Sequence, residues 1–463
     1  MDGAGSPVMA DAPPTTDEPT CRFLTFGCKI NQYDTQAIRE SVLDLGYREV
    51  DSGGADVIVV NSCTVTDRAG DKGVGAVRRL ARDFPSSRIL VTGCLSPEDR
   101  ARCEEVGIAF VLGNEEKDQI PALLEGAAVR PVGPRPSDRR RSRAIFGLRA
   151  SRFEGRTRAF IKVHDGCDEF CSYCIIPFVR GKSKSRSLED VLDEARRLAR
   201  SGHRELVITG IHLRRYGADL GISGGIAALM SALRGIEGVE RIRLSSIGEK
   251  TFTDEFLDFV ASDEAYCRFF HIPLQSGSDA VLERMRREYT VAEYLDTVAR
   301  IRDRLPTAVI TTDLMIGFPG ETDEEFATSL DTCRRAAFAF LHVFPYSVRT
   351  GTRAARLPDH VSGAVRKHRV EEARVLDSEL RRAEVARWVG RDVRVLVERG
   401  ASGWGVGLSR EGHHVRFSTP TPLPRGTESS VRVEGAAPAG HYRETGPVTL
   451  RGTSFPKVSL GGA

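Results

Sequence analysis

Six of the ten cysteines in this chain stand in two groups of three. Cys167, Cys171 and Cys174 lie in one short segment, spaced Cys-x-x-x-Cys-x-x-Cys, while Cys28, Cys63 and Cys94 are spread over an upstream stretch. Three thiolates suit an iron–sulfur cluster with one iron left open, whereas a structural zinc site recruits a fourth protein ligand. No fourth cysteine lies beside the compact group. The amino and carboxylate groups of S-adenosylmethionine can chelate an open iron. An electron from the cluster then breaks a C–S bond and gives a 5′-deoxyadenosyl radical. The protein's part is to orient the reactants and exclude competing reactions. Two clusters imply two tasks: one generates a reactive species, the other supplies or carries something. Tyr173, between the last two ligands, is placed either to pack against the adenine or simply to anchor the loop.

The elements that must position these thiols can be read from the pattern of apolar runs. Residues 21–125 alternate short strands (Arg22–Phe26, Val57–Val60, Arg88–Val91) with helical stretches, which predicts an open, mostly parallel α/β domain. Cys28, Cys63 and Cys94 each follow a strand, at the edge where such sheets bind ligands, so the three converge in space. Gly27 and Gly93 precede two of them and allow the backbone to approach a bulky group. Residues 156–389 repeat strand then helix about six times and end in a charged helix over 365–389. A full barrel needs eight units, so six predict a partial (β/α)₆ barrel, open on one side. The compact cysteine loop follows its first strand, at the face where barrel chemistry occurs. The other strand ends form a rim of polar and glycine motifs. Within that rim Gly210, Ser245, Gln275 and Gly317, together with Tyr173, are candidate contacts to S-adenosylmethionine. Residues 390–452 read as short antiparallel strands with Gly and Pro turns, a small β-barrel of the oligonucleotide-binding kind.

Bulk properties narrow the class. The 463 residues are 40% hydrophobic and 28% charged, as in soluble globular proteins, and no apolar run approaches the ~20 residues that span a bilayer. Residues 1–20 lack the apolar core of a secretory signal and read as a disordered tail. The cysteines are therefore expected to stay reduced in the cytoplasm, where ligand roles outrank disulfides. A net charge of +3 argues little about nucleic acid, but Arg130 to Arg158 carries ten arginines against two acids, which predicts a basic linker over 126–155. Cys21, Cys103, Cys267 and Cys333 read as packing or surface residues, and His212, His271 and His342 sit near strand ends, where a structural role is the default.

Taken together, Gly27-Cys28-Lys29-Ile30-Asn31, Asn61-Ser62-Cys63-Thr64-Val65-Thr66, Thr92-Gly93-Cys94, Gly166-Cys167 through Cys174-Ile175-Ile176-Pro177, and Gln275-Ser276-Gly277-Ser278 resemble the radical S-adenosylmethionine methylthiotransferases, over nearly the whole chain after the tail. The resemblance implies that Cys167, Cys171 and Cys174 hold a radical-generating [4Fe-4S] cluster and that Cys28, Cys63 and Cys94 hold an auxiliary [4Fe-4S] cluster that delivers sulfur. It implies that one S-adenosylmethionine gives the methyl group and a second gives the radical. It names the last domain a TRAM barrel, expected with the basic linker to hold tRNA through its phosphates. The remaining partner is an electron donor such as flavodoxin or ferredoxin.

Three substrate classes occur in that family: tRNA adenosines bearing an isopentenyl group, tRNA adenosines bearing a threonylcarbamoyl group, and an aspartate of a ribosomal protein. Thr209-Gly210-Ile211-His212 with Tyr216-Gly217, Leu244-Ser245-Ser246-Ile247, Met285 to Thr290, and His342 to Ser347 look most like the threonylcarbamoyladenosine branch. Arg286 or Arg287 is suited to a bidentate contact with a threonyl carboxylate, or is ordinary helix-surface charge. Gly248 departs from the family's Glu after Ser-Ser-Ile, with Glu249 one place later. His164 stands where Gln is common, and Leu95-Ser96 replace Tyr-Ala. An RNA-binding iron–sulfur sensor without turnover is the non-enzymatic alternative.

Overall fold

The computed structural model describes residues 18–64, 67–108, 110–128, 147–437 and 449–455. The expected tail (1–20) lies almost wholly outside the described residues, as do Val65 and Thr66 and most of the expected linker over 126–155.

The first unit is a parallel sheet in the order β2-β1-β3-β4-β5, with β1 Thr20–Thr25, β2 Arg48–Glu49, β3 Val57–Cys63, β4 Arg88–Cys94 and β5 Phe110–Val111. β3 and β4 occupy its middle. Their Val-Ile-Val-Val and Ile-Leu-Val runs are buried on both faces, as a covered parallel sheet requires. Helices Lys29–Leu43, Asp67–Asp83 and Pro97–Glu104 flank it. The last begins at Ser96, whose hydroxyl accepts from the Asp99 amide, with Pro at the first turn.

The second unit carries six parallel strands: β6 Arg158–Asp165, β8 Glu205–Gly210, β9 Arg241–Leu244, β10 Phe269–His271, β11 Val309–Ile316 and β12 Phe340–Pro345. A short strand, β7 Lys184–Ser185, runs antiparallel beside β6. Only isolated bridges, Ile242 to Tyr266 and Ser246 to His271, join β9 to the β10 side. The array is thus the partial barrel expected, one strand pair looser than the rest. Its helices are well signalled locally. Thr290 and Thr322 each form a capping box, with Glu293 and Glu325 respectively.

The 26-residue helix Gly363–Trp388 leads to the third unit, a closed barrel in the order β13-β14-β15-β17-β16. Its strands are β13 Asp392–Ala401, β14 Gly403–Ser409, β15 His414–Thr419, β16 Glu428–Ala436 and β17 Thr449–Phe455. The sequence pattern points to β13, β15 and β16 but not to β14. That strand is rich in glycine because its neighbours press on it. A Cβ on Gly405 would lie 2.5 Å from the Phe417 ring, and one on Gly407 would lie 2.1 Å from the Leu396 carbonyl oxygen. Cys21, Cys103, Cys267 and Cys333 are buried packing residues.

Polar contacts lock the three units together. Tyr33 and Arg186 both donate to Glu194, and the Ser151 amide donates to Glu40 at 2.6 Å. At the base of the core, Arg241 donates to the Leu408 carbonyl and Arg243 to those of Ser409 and Arg410. Glu205, fully buried, sits 2.6 Å from Arg243 and 3.3 Å from Arg241. Burial would raise its carboxyl, but the two guanidiniums hold it down at about 2. Glu205→Ala leaves two buried cations without their carboxylate. The expected cost is about 3–5 kcal/mol, read as a lower urea midpoint. Because the folded pKa is depressed, that contribution is complete above the ordinary value of 4.5 and fades as pH falls toward about 2. A variant matching the parent at pH 7 contradicts the assignment.

Candidate functional site

β6 ends in Asp165, and the chain turns at Gly166 into the compact cysteine loop. Gly166 has φ +73°, and a Cβ there would lie 1.9 Å from the Lys182 carbonyl oxygen, so no larger residue fits. The Cys167 amide donates to the Gly181 carbonyl, and the Cys174 amide to that of Cys171. Ser172 pins the loop to the opposite wall. Its amide and hydroxyl donate to the Met285 and Arg284 carbonyls, and its own carbonyl accepts from Ala354.

All three thiols open onto a cavity of about 350 Å³ inside the rim, shared with Tyr173, Ile211, His212, Ser246, Gly248, Glu249, Gln275, Arg287 and Asp313. A more open groove of about 690 Å³ adjoins it and shares Glu249, Lys250 and Tyr289, but no thiol lines it. Burial pushes the Cys167 thiol up to about 11 and that of Cys174 to about 12, and a bound cation would favour the thiolate of each. Gln275 supplies a second sign of a ligand. It holds a left-handed backbone (φ +67°), and its buried side-chain oxygen has no hydrogen-bond partner among the described residues.

The other expected contacts divide. Tyr173 and Gln275 line the cavity, whereas Gly210, Ser245 and Gly317 do not. Gly210 is the tight end of β8, where a Cβ would meet Leu213 and His164 at 2.7 and 2.8 Å, and it delivers Ile211 and His212 to the wall. Ser245 donates its amide to the Ile208 carbonyl and places Ser246 there. Gly317 is covered by Arg366. Gly248 and Glu249 both line the wall, so the shifted carboxylate still faces the cavity. Buried His164 stays on the Ser183 hydroxyl at 2.7 Å, its imidazole pushed down to about 4 by burial and by His212. His212 stands 3.9 Å from the Cys167 sulfur and 3.2 Å from Glu169. Arg286 is exposed at a helix C-terminus, while Arg287 points inward.

Asp313 escaped the sequence reading. It lies between His271 (3.2 Å) and His342 (2.8 Å), and these hold its carboxyl far below the usual range although burial opposes them. The signal was present: one carboxylate in the otherwise apolar or hydroxyl run Val-Ile-Thr-Thr-Asp-Leu-Met-Ile.

The upstream cysteines gather at one edge of the first sheet. Cys63 and Cys94 end β3 and β4 in register, and Cys28 precedes the helix Lys29–Leu43. Gly27 and Gly93 have φ of +104° and +110°. A Cβ on Gly27 would meet that of Cys63 at 2.5 Å, and one on Gly93 would meet the Ser62 carbonyl oxygen at 2.3 Å. Asn31 ties the edge together by donating to the Phe26 and Ser62 carbonyls. Among the described residues no three His, Cys, Asp or Glu side chains are grouped to hold a single metal ion.

Beneath this edge runs a buried chain of charge, also absent from the sequence reading. Lys117 and Lys162 both bind Asp34. Lys162 and Arg180 both bind Asp165, at 2.6 and 2.7 Å, and the Arg180 Nε donates to the Cys94 sulfur at 2.8 Å. Three cations face two carboxylates. Burial, against the pull of Asp34, brings the Lys117 ammonium down to about 7, and Lys162 and Arg180 push it the same way. The Arg180 guanidinium, donating to the Cys94 sulfur, suits a negatively charged thiolate ligand there. Lys162, a charged residue inside the expected strand Phe160–Val163, was its trace in the sequence.

Residues 161–333 match the model of the Radical SAM superfamily, and residues 20–113 that of Uncharacterized protein family UPF0004. The chain is 37% identical over 384 residues to the threonylcarbamoyladenosine tRNA methylthiotransferase MtaB of Bacillus subtilis, covering 82% of this chain and 85% of the relative. It is 36% identical over 430 residues to the tRNA-2-methylthio-N(6)-dimethylallyladenosine synthase of Frankia casuarinae, covering 90% and 79%. Among solved structures, the fold is similar to that of the radical S-adenosylmethionine methyltransferase TsrM of Kitasatospora setae, with a TM-score of 0.52 and 17% identity over 73% of this chain and 77% of that one. The cofactors of such enzymes are S-adenosylmethionine and [4Fe-4S] clusters, for which both sets of thiols are chemically suited. By this kinship and by its two converging cysteine triads, the chain belongs to the radical S-adenosylmethionine methylthiotransferases and is a tRNA methylthiotransferase.

Proposed function

We propose that this enzyme places a methylthio group on C2 of N6-threonylcarbamoyladenosine in tRNA, with Cys167, Cys171 and Cys174 holding the radical cluster and Cys28, Cys63 and Cys94 the auxiliary one. Arg287 carries the choice of substrate. It lines the cavity beside the Cys171 sulfur (3.4 Å), its guanidinium rests over the Tyr289 ring, and the carboxylate paired with it, Glu169, is 3.8 Å away. A planar fork so loosely engaged suits the carboxylate of a threonylcarbamoyl group. An isopentenyl group, with no acceptor to offer, would gain nothing from it.

When bound, the clusters and S-adenosylmethionine supply the radical and the sulfur. The chain's own residues hold and shield. The Gln275 side-chain oxygen is free to accept from a donor on the cofactor, and Tyr173 packs on Val281, Met285 and Phe318 as one wall. Asp313 is fixed as a carboxylate by its two histidines and offers a charged acceptor toward the same space. The closed C-terminal barrel, docked through Arg241 and Arg243, provides a rigid second hold on the tRNA. A low-potential one-electron donor such as flavodoxin or ferredoxin completes the reading.

Two outcomes are expected. With reconstituted enzyme and both tRNA types, threonylcarbamoylated tRNA gains the methylthio group and isopentenylated tRNA does not. Arg287→Ala lowers kcat/KM for the former by about tenfold to a hundredfold, the loss of one charge-assisted contact, while iron content and 5′-deoxyadenosine formation persist. Methylthiolation of the isopentenyl substrate instead reverses the assignment. Separately, Cys28→Ala with Cys63→Ala and Cys94→Ala is expected to keep one cluster and release 5′-deoxyadenosine without methylthio nucleoside. Full loss of iron in that variant contradicts the division between the triads.

A further inference from the structure

The guanidinium of Arg180 is fully buried and has one partner on each side. Nε donates to the Cys94 sulfur at 2.8 Å, Nη1 to Asp165 at 2.7 Å and Nη2 to the Asn31 side-chain oxygen at 3.0 Å. Arg180 is six residues beyond Cys174, at the end of the short helix Ile176–Val179, and the next residue, Gly181, accepts from the Cys167 amide. One side chain therefore joins the backbone of the radical-cluster loop to a thiol of the other triad. We propose that Arg180 is a positioning residue that fixes the distance between the two clusters and raises the reduction potential of the auxiliary cluster through its hydrogen bond to Cys94. This rests on the reading that Cys28, Cys63 and Cys94 hold that cluster.

The sign follows from charge. One-electron reduction adds negative charge to a cluster, and a buried cation donating to a ligating sulfur stabilises that state more than the oxidised one. Asp165 works against it by neutralising part of the guanidinium. Removing the arginine charge must lower the potential, and removing the Asp165 charge must raise it. Disturbed packing alone has no reason to give opposite signs.

The test uses full-length protein carrying Cys167→Ala, Cys171→Ala and Cys174→Ala, reconstituted anaerobically, so that the iron remaining belongs to the other triad. Electron paramagnetic resonance during a redox titration reads its midpoint. Arg180→Gln in that background is expected to lower the potential by at least a tenfold change in the reduction equilibrium, about 59 mV for one electron. Asp165→Asn is expected to raise it. If Arg180→Gln loses its iron, Asp165→Asn alone decides, and no upward shift overturns the proposal. Unchanged midpoints with iron retained, or shifts of the same sign, overturn it while leaving the cluster assignment standing. A parent triple variant without iron overturns the assignment itself and this inference with it.

Discussion

The constraint on which this structure depends is the burial of charge between its first two units. Lys117 and Asp34 come from helices of the N-terminal unit, and Lys162, Asp165 and Arg180 come from the barrel unit. Charges taken out of water are tolerated only when each is met by another in good geometry. Neither unit alone satisfies this set: without Asp34, Lys162 and Arg180 share the single carboxylate of Asp165, and without Asn31 and Cys94 two N–H groups of Arg180 are buried unpaired. The interface is therefore specific in a way that an apolar contact would not be. It ties the placement of one cysteine triad to that of the other through Arg180.

A second consequence is that the catalytic face is assembled from tight backbone rather than from large side chains. At Gly27, Gly93 and Gly166 the chain passes so close to its neighbours that no Cβ can be added, and each position precedes a cysteine. The polar contacts of Ser172 and the left-handed backbone of Gln275 complete a wall that leaves little freedom to the thiols. At the opposite end, Arg241 and Arg243, held by Glu205, bind the C-terminal barrel through its main-chain carbonyls. Trp388 and His413, both on Glu384, close the junction with the long helix. The active face and the RNA-type barrel are thus parts of one rigid support.

Much of this was legible in the sequence. Strand–helix alternation gave the parallel sheets because buried parallel strands are continuous apolar runs. The cysteine positions, each just past a strand end, imply convergence. What escaped was set by partners distant in sequence. Asp34, Lys117 and Arg180 look like surface charges in their own helices and loops, and only tertiary packing makes them a buried network. Asp313 acquires meaning from histidines 42 and 29 residues away on neighbouring strands. Strand β14 was hidden by glycines that its neighbours demand. Gly210, Ser245 and Gly317 mark strand ends correctly, yet the residues next to the first two, and not these themselves, reach the cavity.

The three thiols of the upstream triad are unequal in one further respect. Cys63 and Cys94 are buried, whereas Cys28 is exposed at the start of its helix. Among the described residues, a centre held there meets solvent at the Cys28 side. That face admits iron, sulfide and whatever restores a spent sulfur atom, and it admits dissolved oxygen too. Supply and damage share one doorway, and Cys28 stands in it.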